Sequence, residues 1–351
     1  MNAALPIATC VTVRPASTSE TERWDAFVVA CDEATFFHRF AWRQIYESVF
    51  RHRTHYLLAE RGDEVVGVLP LVELRSLLFG HSLCSLPFAL YGGVAATDPA
   101  AVVALHEAAV TLGRELGVHH LELRNRVQRE PEWPRQDLYV TFRRDIAPEV
   151  EANLLAIPRK QRAMVRKAIA RQLRTEIDTR TDRFFDLYAD NQHRHGTPPQ
   201  SRRYFEALLE VFGSDCEISI VHSAQGKPVS GVLSFYFRNE VLPYYAGDLP
   251  DARELAANDF KYWDLMRRAC ERKLKVFDYG RSKRGTGSFD FKRNWGFEAQ
   301  PLHYEHHLYK GDAIPQNNPN NPKYQAAIAL WRRLPRAAVN TLGPVLARHL
   351  G

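Results

Sequence analysis

Val229-Ser-Gly-Val-Leu-Ser-Phe-Tyr-Phe-Arg-Asn-Glu-Val-Leu-Pro-Tyr-Tyr-Ala246 decides the fold class. Its two runs rich in Val, Leu, Phe and Tyr read as strands 229–237 and 241–246 of a hairpin. Downstream, Asn258–Arg272 reads as a helix and Val276–Tyr279 as a strand. Upstream lies a strand, Glu217–Val221, preceded by helices Phe184–His195 and Arg202–Phe212, which Gly196 and Gly213 terminate. Leu302–Tyr309 adds a last strand. Helices alternating with strands around a hairpin imply a mixed α/β sheet, not a sandwich.

The same order occurs earlier in the chain. Trp24–Cys31 and Phe40–Phe50 read as helices, followed by strands Tyr56–Glu60 and Val65–Leu71 across the turn Arg61-Gly62-Asp63. Leu83–Val94 is extended, and Pro99–Leu116 is a helix with Asp98 as N-cap and Gly117 as its stop. Strands His120–Leu123 and Leu138–Phe142 follow. Both stretches read helix, helix, three strands, helix, strand, strand. The expected class is α/β (α+β), two similar domains at 1–148 and 176–312. A basic helix at 149–175 links them, and a linker with a helical tail occupies 313–351.

The 351 residues suit about two domains. Hydrophobic residues at 45% and charged residues at 25% exclude a disordered, collagen-like or small disulfide-stapled chain. No apolar run is long enough for a membrane span, and Met1–Val13 lacks the layout of a signal peptide. Cys10, Cys31, Cys84, Cys216 and Cys270 form no CxxC pair and no metal spacing, so a reducing cytoplasm is expected. Net charge is +6, but 152–175 carries seven basic residues and 313–351 five, with no acid in either. The rest of the chain therefore sums to −6. Two basic patches on a near-neutral body attract phosphate or anionic lipid.

Phe277–Gly296 carries the densest chemistry. A strand runs into Gly280, where the backbone is free to turn, followed by Arg281, Ser282, Lys283 and Arg284 between glycines. Lys292 lies just beyond, flanked by Phe291, Arg293 and Trp295. An ammonium partly desolvated by aromatics can stabilise an oxyanion, which is worth roughly 3–4 kcal/mol. The same residues also fit a charged surface turn with an aromatic anchor. Asp278, at its strand's end, can orient an amine or take its proton, or simply pair with Arg281. Tyr245 and Asp248 stand at the end of the preceding strand. On 158–174, six of seven basic residues, Arg159, Lys160, Arg166 and Lys167 among them, fall within an arc of roughly 120° of a helical wheel. Such a stripe can follow a phosphate backbone or be simply solvated. The histidines lack metal-ligand spacing, so no metal is expected. In 324–350 an acid-free segment sets Trp331, Leu342 and Val345 among arginines, a pattern that fits an anionic membrane surface or a helix packed across the body.

Ile157–Lys167, Asn191-Gln-His-Arg-His-Gly-Thr-Pro-Pro199 and Phe277–Gly296, with the tail Asn321–Tyr324, Arg332–Pro335 and Leu342–Pro344, carry a resemblance. The chain resembles FemAB-type aminoacyl or acyl transferases, and more narrowly the FemAB-related proteins of PEP-CTERM/exosortase exopolysaccharide systems. That resemblance implies two tandem GNAT-like domains and transfer of an acyl group, often from aminoacyl-tRNA, to an amine of a cell-envelope precursor. It places Phe291-Lys292 at the acyl-transfer site, with Lys292 catalytic as the oxyanion stabiliser; Asp278, from its place at the strand's end, is the second catalytic candidate. Gly280, Arg281, Ser282, Lys283, Phe291, Arg293, Trp295 and Tyr245 would bind substrate, and Arg159, Lys160, Arg166 and Lys167 phosphate or RNA. No bound cofactor is implied; aminoacyl-tRNA or acyl-CoA is the co-substrate. A glycine-rich pyrophosphate loop is missing, since 249–258 holds no glycine. Expected partners are an envelope or polysaccharide precursor, tRNA, and an anionic membrane at the inner face through the tail. The competing readings are an acyl-CoA-dependent N-acetyltransferase and a non-catalytic protein that binds precursor or membrane.

Overall fold

The computed structural model describes residues 10–76, 80–314 and 328–349. The expected linker falls outside the described residues from 315 onward. The chain divides into two units, Met1–Gln136 with His303–Ile314, and Asp137–Leu302 with Pro315–Gly351.

In the first unit the elements are β1 (Val11–Pro15), α1 (Thr21–Ala30), α2 (Trp42–Ser48), β2 (Arg53–Arg61), β3 (Glu64–Ser76), β4 (Gly80–Cys84), β5 (Ala95–Ala96), α3 (Pro99–Leu116), β6 (His120–Asn125) and β7 (Arg135–Gln136). Asp98 accepts the Ala101 amide at 2.9 Å and Gly117 closes α3 at φ 67°. That helix carries the chain from β4 to β6, which pair in parallel, as a parallel pair requires. Its buried Ala101, Leu105 and Ala109 pack on Leu69, Leu71, Leu121 and Leu123.

The second unit follows as β8 (Tyr139–Asp145), α4 (Val150–Ala156), α5 (Arg159–Ala170), β9 (Arg174–Asp178), α6 (Asp182–His195), α7 (Arg202–Phe212), β10 (Cys216–His222), β11 (Pro228–Phe237), β12 (Glu240–Asp248), α8 (Ala252–Leu255), α9 (Ala257–Glu271), β13 (Val276–Lys283), α10 (Gly287–Asn294) and β14 (Ala299–Pro301). The hairpin β11–β12 forms as expected, and α9 carries the chain to the parallel strand β13. Strand order is β14-β8-β13-β12-β11-β10-β9. The chain then enters β15 (His303–Leu308) and ends, among the described residues, in α11 (Arg336–Ala347).

Two mixed α/β sheets with the expected repeat are therefore present, but the last strand of each half is exchanged. The strand expected at 138–142 belongs to the second sheet, where β8 pairs with β13. The strand expected at 302–309 belongs to the first, where β15 pairs with β6 and β7. The units accordingly part at 136/137 and 302/303 rather than at 148 and 312. The basic helix is part of the second unit, because Val165 and Ala168 are buried and Ala168 joins a core with Val229 and Phe260. It ends at Ala170, and Arg174 opens β9, so the basic stripe is shorter than the wheel suggested.

Candidate active site in the second unit

Strands β12 and β13 pair only at Glu240↔Val276 and Val241↔Phe277, although each runs on for several residues. Two bulges accompany the parting. Tyr244 is an extra residue between the pairs Leu233↔Tyr245 and Ser234↔Pro243. On β13, Tyr279 and Gly280 stand against the single Phe142 of β8. Gly280 has φ 69°, so the left-handed bend there suits glycine. Strand β13 continues through Lys283. The turn expected at Gly280 is thus a bend within a strand, the basic run expected to follow it is strand through Lys283, and α10 begins at Gly287.

Lys292 is buried on α10, and its Nζ donates to the carbonyls of Gly280 and Arg281, both at 3.0 Å. Burial pushes its pKa down to about 7, with the nearby Asp278 opposing that shift. Asp278 is also buried, and its Oδ1 accepts the Gly280 amide at 2.8 Å and the Thr141 hydroxyl at 3.3 Å. Lysine and aspartate therefore sit together at the bulge, holding backbone that has left the ladder. Arg281 lies over the Tyr139 ring, and Ser282 shares a hydrogen bond with Ser288 at 3.0 Å. Arg293 pairs with Asp290 on exposed surface. Tyr245 bonds to Tyr204 in an aromatic cluster with Tyr188 and Phe205, and burial holds its phenol far above its ordinary pKa.

A cleft of about 520 Å³ opens beyond the end of β12. It is walled by Lys160, Gln161 and Met164 of α5, Arg194 of α6, Asp248–Pro250, Ala252 and Arg253 of α8, Ala256, Asn258 and Asp259 at the start of α9, and Phe291 and Asn294 of α10. Crevices beyond the carboxyl ends of parallel strands are the usual ligand sites of α/β sheets. Of the residues singled out from the sequence, Lys160, Asp248 and Phe291 line it; Lys292 and Asp278 lie at the bulge instead. Helix α9 begins without a side-chain cap, after Ala256 at φ 55°. Its first-turn amides and dipole give the cleft wall a partial positive charge. Arg194 is held by Asp190, at 2.8 Å, and by the Asp248 carbonyl. Asp248 accepts from Ser230 and, at 2.8 Å, from Lys261, whose side chain is wholly buried. Asp259 accepts the Trp295 indole N–H at 3.0 Å, and burial raises its carboxyl pKa.

Arg194, Arg253, Asp259 and Asn294 were not singled out from the sequence. Arg194 and Asn294 lie within the motifs Asn191–Pro199 and Phe277–Gly296, and Asp259 is an acid in the first turn of a predicted helix; Arg253 carried no cue. Separate helices bring the four together. No His/Cys/Asp/Glu group able to hold a metal occurs among the described residues.

Residues 159–293 match the family model described as Acetyltransferase (GNAT) domain. The chain is similar to a crystal structure of FemX, at 14% identity and TM-score 0.64 over 84% of this chain and 97% of that one. It is similar to L-PGS from Bacillus licheniformis, at 11% identity and TM-score 0.53 over 89% and 96%. A tandem GNAT protein from the clavulanic acid biosynthesis pathway is similar at 12% identity and TM-score 0.54 over 86% and 100%. No curated protein sequence matches the chain. The solved structures establish the fold: two GNAT-like units in tandem. With residues 159–293 matching an acetyltransferase domain, the chain is an acyltransferase of GNAT fold.

Proposed function

We propose that the second unit transfers an aminoacyl group from a phosphate-bearing donor to an amine of an envelope or exopolysaccharide precursor. One observation carries this reading. The uncapped N-terminus of α9 opens into the cleft between Lys160, Arg194 and Arg253, an arrangement suited to phosphate. Aminoacyl-tRNA is the donor favoured, because Arg159, Arg166 and Lys167 are exposed on the helix that brings Lys160 to the cleft. A polyanion can follow that helix away from the site. Fold likeness to FemX and L-PGS supports the same class.

The amine nitrogen attacks the donor carbonyl, the new C–N bond forms, and the ester C–O bond breaks. Asp259 takes the proton that the amine loses and returns it to the departing ester oxygen, which leaves as a hydroxyl; the raised pKa from burial makes it a better base than an exposed carboxylate. Lys292 acts as a positioning residue, because its ammonium ties the bulge to α10, which presents Phe291 and Asn294 to the cleft. A second reading takes acyl-CoA as donor; the acetyltransferase match of 159–293 favours it.

Thermal melts of the full chain with aminoacyl-tRNA and with acetyl-CoA separate the two, since a ligand that binds only the folded state raises Tm. The expected result is stabilisation by aminoacyl-tRNA that salt weakens and Arg253→Ala abolishes. Stabilisation by acetyl-CoA alone selects the second reading, and no response to either overturns both.

A further inference from the structure

Helix α11 is apolar on two opposite faces. Val339, Gly343 and Ala347 form the inner face and are buried. Added bulk at Gly343 would meet Pro199. Just before the helix, Trp331 is buried and Arg332 donates to the His195 carbonyl at 3.1 Å. Arg336 pairs with Asp190, the carboxylate that also holds Arg194. The tail is therefore docked on α6 within the second unit, and of the two readings of Trp331 the packed one holds for its indole.

The outer face has no such cover. Ala337, Leu342 and Val345 are exposed, and Leu342 and Val345 are 50% and 52% exposed. Leu330, six residues before the helix, is 64% exposed. No charged residue interrupts Ala337–Ala347. A helix that is apolar on both sides is stable only when both sides are covered. Its rim supplies the sign of the cover: Arg333 and Arg348 flank the face, and 313–351 contains no Asp or Glu.

We propose that the outer face of α11 is a membrane-docking surface for anionic lipid. Leu330, Leu342 and Val345 enter the boundary between headgroups and acyl chains while the flanking arginines meet lipid phosphates. The charge disfavours a basic partner, and the absence of any acid on the segment disfavours pairing with a second copy of the same patch. This surface stands on the exposed face itself, independent of what the cleft transfers.

Vesicle co-sedimentation of the full chain is the test, with phosphatidylcholine vesicles and with phosphatidylcholine–phosphatidylglycerol vesicles. The wild-type chain is expected to sediment with the anionic vesicles and less with the neutral ones, and added salt weakens the binding. Leu342→Asp with Val345→Asp replaces two exposed side chains, so the melt stays unchanged while vesicle binding falls at least about tenfold. Arg333→Glu lowers binding to anionic vesicles only. Absence of wild-type binding to anionic vesicles, or binding that the double variant leaves intact, overturns the proposal. A concentration-dependent dimer that the double variant dissolves, without vesicle binding, assigns the face to a second copy instead.

Discussion

At the scale of single residues, Asp259 and Lys292 both owe their properties to burial, with opposite signs. Burial disfavours the charged form, so the carboxyl pKa rises and the ammonium pKa falls. Asp259→Asn keeps an oxygen for the Trp295 N–H and removes the proton acceptor. Transfer is expected to fall by about 10²–10⁴-fold with Tm nearly unchanged, measured by single-turnover aminoacyl transfer. Lys292 predicts a pH dependence of stability. Between about 7 in the folded state and the ordinary value of 10.5, the unfolded chain binds more protons than the folded one. Folding stability therefore rises with pH across that window, from the proton count of this group alone. Lys292→Met removes the difference, and urea titrations of both chains at several pH values should show a shallower rise in the variant. The Phe291-Lys292 pair was legible in sequence as an ammonium among aromatics. That the ammonium serves backbone carbonyls was not, because the acceptors appear only where β13 bulges.

At the scale of elements, close approach determines several positions. A Cβ on Gly247 of β12 would come within 2.4–2.6 Å of the Leu187 and Tyr188 backbone in α6. Backbone cannot yield as a side chain can, so Gly247→Ala is expected to cost about 2 kcal/mol, read from urea unfolding. Glu305 of β15 is fully buried and accepts the Arg129 amide at 3.0 Å, the Glu130 amide at 3.0 Å and the Asn125 side chain at 2.6 Å. Glu305→Ala leaves three donors without their acceptor and is expected to destabilise the first unit by about 3 kcal/mol or more. Helix ends were legible where local chemistry sets them. Asp98, Gly117 and Gly196 cap or close helices as their residue types dictate. Helix α10 was not, since Gly287 at its start and the nearby Gly285 read as loop, and Thr286 capping Phe289 at 3.4 Å is a weak local signal.

At the scale of the whole molecule, the exchanged strands make neither half of the chain self-sufficient. A fragment of residues 1–148 lacks β15, which pairs with both β6 and β7, and carries β8, whose partners lie in the second sheet. It is expected to show no cooperative thermal melt by circular dichroism, whereas the full chain does. Among the described residues, no helix is long and apolar enough to cross a membrane. The order of helices and strands, the hairpin, the caps and the acid-free basic segments followed from the chain itself, because periodicity, turn residues and charge act over a few neighbouring positions. Strand partners across 137–302, the bulge that seats Lys292 and the cleft that gathers α5, α6, α8, α9 and α10 were decided only by tertiary structure. Pairing and burial join residues far apart in the chain, and adjacent side chains carry no record of which distant backbone will lie beside them.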